Sequence, residues 1–432
     1  MKQQVNIFWF RRDLRLEDNT GLFHALQDTL PVLPLFIFDK TILERLTDKK
    51  DKRVNFIYEQ LEILNAQLLK QNSSLWINYS TVIEAFKKIT REFNIKKVYT
   101  NHDYEPYAIT RDKEIQEFLK EEGIYFISYK DQVVFEKTDI MKADGTPYTV
   151  FTPYSVKWKE KYSTEKPAEH SAEKIPSNFF KTTPFSFPGM KEIGFEKTGH
   201  GVAPIDISSA TIKKYHLTRN FPAANATSHA SVHLRFGTIS VRKLCKLAIE
   251  NNEQWLNELI WREFFMMILF HFPHVVNSGF KKKYDSIPWR NNEKEFESWC
   301  KGETGYPIVD AGMRQLNATG YMHNRVRMIT ASFLTKHLLI DWRWGEAYFA
   351  EKLLDFELSS NNGNWQWAAG SGCDAAPYFR IFNPYEQVKK FDPQYVYIKK
   401  WIPDFRLDYL PPIVDHAMAR ERALRVYKTA LQ

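Results

Sequence analysis

The first 130 residues alternate short, almost entirely apolar runs with amphipathic segments, and this alternation constrains the fold more than any other feature. Apolar runs separated by helical segments are typical of strands buried on both faces of a parallel sheet. The sequence therefore predicts an α/β domain with a doubly wound parallel sheet. No G-x-G-x-x-G motif follows the first run, so this domain need not hold the main cofactor. The candidate strands are residues 5–10, 32–38, 75–79, 98–100 and 124–127, and residues 54–69 are a candidate helix.

The composition changes after about residue 130. Residues 131–204 are rich in Pro, Lys, Ser and Thr and have little hydrophobic periodicity, which predicts a linker that crosses the surface. From residue 205 the pattern becomes helical, and one helix is expected to begin at Pro307 and to stop at Gly320. We therefore expect an α/β domain over residues 1–130, a linker over residues 131–204 and a mostly helical domain over residues 205–432.

The charge balance favours a polyanionic partner such as a nucleic acid. Lys and Arg number 60 against 52 Asp and Glu, which gives a net charge of +8. Three separated cysteines form no C-x-x-C motif, so we expect neither a disulfide framework nor a metal site, and a reducing cytoplasm is the natural setting. The most apolar run, residues 264–270, is far too short to cross a bilayer, and we expect no membrane partner.

Three segments of the helical half concentrate residues suited to chemistry. Residues 255–265 read WLNELIWREFF, which places a carboxylate, a guanidinium and two indoles close together on a helix. The alternative is an amphipathic helix on which Glu258 and Arg262 form an exposed ion pair. Residues 321–328 read YMHNRVRM, which fits either a face that contacts phosphates and bases or a surface basic helix. Residues 361–384 have no helical period until late, and their Gly, Asn and aromatic residues predict a loop beside a planar ligand.

These three segments resemble the C-terminal signature of the photolyase/cryptochrome family, and the opening VNIFWFRRDLRLEDN is similar to that family's first strand and turn. The resemblance covers nearly all of the chain. It implies an N-terminal α/β domain joined by a long linker to a helical flavin domain. Within the family it implies the class I enzymes that repair cyclobutane pyrimidine dimers, because (6-4) enzymes place histidines where Asn324 and Met328 stand.

The resemblance implies one non-covalently bound FAD that is reduced in the active form. The segment TSHAS matches the family's flavin-phosphate loop, and hydroxyl and N–H groups at a helix start suit a pyrophosphate. Arg327 and Asp355 are expected to pair beside the flavin ring, and Asn361 to face its N5 atom. The implied flavin contacts are Tyr215, Thr227, Ser228, His229, Ala230, Ser231, Trp255, Arg327, Asp355, Phe356, Glu357 and Asn361.

The resemblance also implies an electron-transfer chain of Trp289, Trp342 and Trp365, which would reduce the flavin in light. The alternative for these residues is three tryptophans of an aromatic core. Glu258 is expected to act in catalysis as a hydrogen-bond partner of a flipped-out dimer, and a damaged pair costs less to flip than a normal one. The implied substrate and DNA contacts are Arg219, Glu258, Trp261, Arg262, Asn324, Arg325, Met328, Trp367 and Gln387.

Several properties stay open at this point. The Asn-Glu pair of folate-binding members is missing after Tyr104 and Glu105, so a folate such as methenyltetrahydrofolate, a deazaflavin or no antenna remain alternatives. We expect a cytoplasmic, bacterial-type monomer that works on UV-damaged DNA at the nucleoid. A cryptochrome-type photoreceptor without repair activity is the alternative function, and a DNA-binding protein without flavin is a third.

Overall fold

A computed structural model describes residues 2–170, 178–199, 201–406 and 408–432, so residues 171–177 and residue 200 of the expected linker lie outside it. Its five-stranded sheet is parallel throughout, with the order β3-β2-β1-β4-β5, which confirms the predicted doubly wound arrangement. β2 is buried along its whole length, as expected of a central strand covered on both faces. The strands are β1 Gln4–Phe10, β2 Val32–Asp39, β3 Trp76–Ser80, β4 Asn94–Asn101 and β5 Tyr125–Tyr129.

Helices cover the sheet, and their starts follow local capping rules. α4 begins with a capping box in which Thr81 and Glu84 satisfy each other's backbone N–H groups. α5 begins with Pro106, which needs no hydrogen bond at a first helical position. The helices between the strands are α1 Thr20–Leu26, α2 Lys40–Leu43, α3 Lys52–Leu69, α4 Val82–Glu92 and α5 Pro106–Glu121.

The chain forms two compact units that do not follow one linear boundary. The sheet unit consists of Met1–Glu136, Glu160–Ile205 and His229–Glu250, and the helical unit of Lys137–Lys159, Asp206–Ser228 and Asn251–Gln432. The proline-rich composition of residues 131–204 did not predict a helix, yet α6 lies within that range. The next four helices are α6 Phe151–Thr164, α7 Ser209–Thr218, α8 Ala230–Phe236 and α9 Val241–Asn251.

The C-terminal half is helical, as predicted. α12 begins at Pro307 and ends at Gly320, which adopts a left-handed backbone conformation with φ 73°, so both predicted signals are confirmed. No helix among the described residues is long and apolar enough to cross a membrane. The remaining α-helices are α10 Glu253–His271, α11 Glu293–Lys301, α12 Pro307–Thr319, α13 Asn324–Ser332, α14 Trp342–Lys352, α15 Leu358–Ala369, α16 Pro384–Phe391, α17 Val396–Trp401 and α18 His416–Leu431.

The prediction of a loop from residue 361 is wrong for α15, and tertiary contacts explain why. A Cβ atom on Gly363 would lie 2.2 Å from the Phe265 ring, so the glycine serves close packing rather than a turn. The Asn362 amide donates to the Val275 carbonyl at 3.0 Å instead of competing for its own helix. Packing and side-chain hydrogen bonds thus outweigh the weak helix propensity of Gly and Asn.

A buried cluster of four charges fastens α9 to the sheet unit. Arg242 contacts Asp18 at 3.0 Å and Asp131 at 2.8 Å, and Arg15 contacts Asp131 at 2.8 Å. Burial alone would raise the pKa of Asp131, but the Arg15 and Arg242 guanidinium groups hold it well below its usual range. Because each charge has an opposite partner, the cluster is compatible with a dry interior.

We predict that Arg242→Ala lowers the free energy of unfolding by about 3–5 kcal/mol, because Asp18 loses its guanidinium partner and Asp131 loses one of two. Lys243→Ala is the matched control, since Lys243 is exposed and lies 3.5 Å from an exposed Glu17 carboxylate. Thermal and urea unfolding measure the effect. Equal stability of the two variants would contradict the structural role of the cluster.

Candidate functional site

α10 carries the first predicted site segment, and its charged residues reach across to other helices. Glu258 forms an ion pair with Arg219, the residue that follows α7, and also accepts a hydrogen bond from Gln254 at 3.0 Å. Arg262 pairs instead with Glu357, at 3.1 Å. The alternative of an exposed Glu258–Arg262 pair is therefore wrong, because each residue binds a partner from another part of the helical unit.

α15 continues this arrangement from its first turn. Glu357 precedes α15, and its carboxylate accepts hydrogen bonds from Arg262 and from the Ser360 hydroxyl at 3.2 Å. Asn361 is buried, and its amide donates to the Glu346 carbonyl at 3.0 Å. No described residue donates a hydrogen bond to the Asn361 side-chain oxygen. This side chain therefore keeps an acceptor available for a ligand.

Arg327 and Asp355 form the expected ion pair. Both terminal nitrogens of Arg327 donate to the two carboxylate oxygens of Asp355, at 3.2 and 2.9 Å, and its Nε donates to the Met322 carbonyl at 2.7 Å. Burial alone would lower the pKa of Arg327, but the Asp355 carboxylate raises it. The bidentate geometry fixes the plane of the guanidinium group.

The remaining predicted flavin contacts divide between the two units. Thr227 and Ser228 belong to the helical unit, and the Thr227 hydroxyl lies 3.3 Å from the Tyr321 hydroxyl. His229, Ala230 and Ser231 belong to the sheet unit, where α8 begins at Ala230. Tyr215 lies in α7, Trp255 is buried in α10, and Phe356 packs against the helical core.

Arg325 lies close to two other arginines, Arg219 and Arg380. Arg325 donates to the Asn220 side chain at 2.7 Å and lies over the Phe391 ring at 4.5 Å. Burial, together with the positive charges of Arg219 and Arg380, lowers the pKa of Arg325. Arg380 is not among the residues predicted from the sequence, although a basic residue within the aromatic run YFRIF was a usable signal. Arg325 and the two arginines whose charges act on it are suited to binding an anion.

The other substrate candidates lie on α10, α13, α15 and α16. Trp261 stacks face to face on Phe151, with ring centroids 3.8 Å apart and planes within 4°, so one face of its indole is already covered. Sequence reasoning did not find Phe151, because it lies in the expected linker. Asn324 is exposed, Met328, Trp367 and Gln387 are half-buried, and the Gln387 side-chain oxygen has no hydrogen-bond partner in the described structure.

The three predicted electron-transfer tryptophans belong to one aromatic region. Trp342 and Trp365 are both 2% exposed in the helical core, and Trp289 packs against that core. Trp365 lies directly on α14, since a Cβ atom on Gly345 would come within 2.2 Å of its indole. Trp299 was not predicted as a site residue, and its ring centroid lies 6.1 Å from that of Trp365. Packing therefore fixes the Trp365 ring.

Glu346 is an additional acid beside Asn361. Burial raises its pKa to about 7, although the Asn361 and Asn362 amides and the Arg343 charge act in the opposite direction. Sequence reasoning could not identify it, because its environment is formed by α15 rather than by its own helix. The site therefore contains one acid that changes its protonation state near neutral pH.

The predicted antenna region lies in the sheet unit. Glu105 precedes Pro106 at the start of α5, and its carboxylate accepts hydrogen bonds from Arg12 at 3.2 Å and Arg235 at 3.0 Å. Glu105 is thus occupied by two ion pairs.

Two family models match the chain. The FAD binding domain of DNA photolyase matches residues 255–407, and the DNA photolyase model matches residues 6–172. A deoxyribodipyrimidine photo-lyase of Vibrio cholerae is 35% identical over 99% of this chain and 100% of its own length. A class III photolyase of Agrobacterium tumefaciens superposes with a TM-score of 0.87 at 33% identity, covering 100% of this chain and 98% of that one. A cryptochrome of Synechocystis superposes with a TM-score of 0.84 at 25% identity, covering 99% of this chain and 99% of that one.

We predict that Glu346→Gln stabilises the protein at pH 8 and has little effect near pH 4.5. Below the ordinary value of 4.5 the carboxyl is protonated in both folded and unfolded chains. Between 4.5 and about 7 only the unfolded chain releases the proton, so the wild-type protein loses stability as the pH rises. Glutamine has no proton to lose, and the gain at pH 8 should reach about 1–3 kcal/mol.

Melting temperatures measured from pH 4.5 to 8 test this prediction. Glu351→Gln is the matched control, because Glu351 is exposed on the same helix. A stability difference for Glu346→Gln that does not change with pH would show that burial of the charge is not its cause.

Proposed function

Because the chain belongs to the DNA photolyase family, whose FAD-binding domain it contains, we propose that it uses light to split cyclobutane pyrimidine dimers in DNA. The observation that carries this proposal is the contact between α10 and α15. Arg262 is one turn from Glu258, the expected substrate acid, and it binds Glu357, which precedes the helix that holds Asn361. The residues proposed for the lesion and for the cofactor are thus connected through one ion pair.

The side chains of the helical unit fit FAD. The bidentate Arg327–Asp355 pair, the free acceptor of Asn361 and the Thr227 hydroxyl supply the neutral and paired polar groups that a flavin ring and its phosphates require. Reduced FAD, when bound, would supply the electron that breaks the cyclobutane ring. An amide at position 361 can hydrogen-bond an electron-rich ring without adding a negative charge. The hydroxyl groups of Ser228 and Ser231 remain proposed phosphate contacts.

The same unit offers residues for the damaged DNA. Arg219 and Arg325 would bind backbone phosphates, and Arg380 adds a third positive charge. Glu258 would hydrogen-bond the flipped dimer and, in its protonated form, would stabilise the dimer's negative charge by donating a proton or hydrogen bond. Trp261 and Trp367 would stack on the bases and Met328 would pack against them, while Asn324 and Gln387 would contact the substrate at its edge.

Light-dependent repair is tested directly with an oligonucleotide that contains a single thymine cyclobutane dimer. We expect the purified, reduced protein to restore both thymines under blue light and to leave the dimer intact in the dark. An intact dimer in the presence of bound, reduced FAD would instead support a cryptochrome-type photoreceptor. Salt-dependent DNA binding by a protein that purifies without flavin would support the third alternative.

We predict that Trp365→Phe abolishes light-driven reduction of the bound cofactor but leaves repair by chemically pre-reduced protein largely intact. Phenylalanine is much harder to oxidise than tryptophan, whereas the dimer pocket does not include residue 365. Absorption spectra during illumination report cofactor reduction, and dimer reversal reports repair.

Trp299→Phe makes the same chemical change at a fully buried neighbour and serves as the control. It should retain photoreduction, and both variants should keep their FAD content. A loss of photoreduction in both variants would point to a general disturbance of the aromatic core rather than to a specific electron route.

A further inference from the structure

The ion pair between Arg219 and Glu258 joins a residue expected to bind DNA phosphate with one expected to bind the lesion. Arg219 follows α7, and its guanidinium group also lies 5.4 Å from the centre of the Tyr215 ring. Its side chain is 19% exposed and that of Glu258 is 30% exposed, so both remain accessible to a ligand. Among the described residues, Glu258 is the one carboxylate that pairs with Arg219.

This pair conflicts with the roles proposed for its members. A guanidinium held by a carboxylate is partly neutralised toward phosphate, and a carboxylate held by a guanidinium has fewer lone pairs left for a base. Arg325, by comparison, binds the neutral Asn220 side chain, which does not offset the positive charge of the guanidinium group. DNA can therefore use both residues fully only if it breaks the Arg219–Glu258 ion pair. If the pair stays intact, Arg219 attracts phosphate less strongly and Glu258 offers fewer lone pairs to a base.

We propose that a DNA phosphate displaces Glu258 from Arg219, and that this exchange frees the Glu258 carboxyl group for the flipped dimer only after the DNA backbone is bound. The proposal rests on the dimer-repair function proposed above. It assigns Glu258 a second role, as the group that holds Arg219 in the DNA-free protein. Gln254, at 3.0 Å from Glu258, is placed to keep one hydrogen bond to the carboxylate while Arg219 leaves.

The exchange has a measurable consequence, because undamaged DNA offers phosphates but no dimer to Glu258. With such DNA, breaking the ion pair costs free energy, and no hydrogen bond between Glu258 and a dimer offsets that cost. Removing the carboxylate should therefore tighten binding of undamaged DNA even though Glu258 belongs to the substrate pocket. A half-exposed pair of this kind predicts a gain of about two- to fivefold beyond any general charge effect.

The experiment compares Glu258→Gln with Glu253→Gln in the full-length, FAD-containing protein. Both changes remove one negative charge from α10, but Glu253 is exposed and pairs with Lys159. Binding of an undamaged fluorescent oligonucleotide is measured by anisotropy at several salt concentrations. We expect Glu258→Gln to bind about two to five times more tightly than Glu253→Gln, with equal FAD content and melting temperature.

The Arg219→Gln background provides the decisive comparison. There, Glu258→Gln and Glu253→Gln should bind equally, and the dependence of log K on log salt should fall by about one unit relative to wild type. A gain that persists without Arg219, or no gain over Glu253→Gln, would overturn the proposed exchange. Absence of light-driven repair by the wild-type protein would instead refute the proposed function, so the two failures are distinguishable.

Discussion

The buried charges of Arg15, Asp18, Asp131 and Arg242 are the interaction on which the division of this chain depends. They retain residues 229–250 in the sheet unit, although the residues immediately before and after belong to the helical unit. The segment TSHAS is divided at the same point, so its last three residues share a scaffold with the sheet. A segment that resembles one continuous motif in the sequence is therefore assigned to two compact units.

Pairing of carboxylates is the common electrostatic theme of the helical unit. Asp355 binds Arg327, Glu357 binds Arg262, and Glu258 binds Arg219. Each pair limits the negative charge near a site proposed to hold an electron-rich cofactor and polyanionic DNA. Glu346 also adds little negative charge, because burial favours its neutral form up to about pH 7. The region can thus hold several acids without repelling its proposed ligands.

The sequence predicted those elements whose residues carry their own signals. Continuous apolar runs identified the buried strands, and Pro307 and Gly320 marked both ends of α12, because these signals act within one helix or strand. α15 was missed because the Phe265 ring and the Val275 carbonyl, both distant in sequence, stabilise its Gly and Asn residues. Resemblance identified the Arg327–Asp355 pair. The partners of Glu258 and Arg262 depend on how α7, α10 and α15 meet, which no local pattern reports.

The stack of Phe151 on Trp261 determines how the indole can be used. A phenyl ring 3.8 Å away leaves no room for a second planar group on that side. Any base that joins the stack must arrive on the opposite face, which makes the platform directional. Phe151 also limits tilting of the Trp261 indole. A nucleotide would therefore meet an aromatic surface whose orientation is already fixed. The residue that fixes it lies more than a hundred positions earlier in the chain.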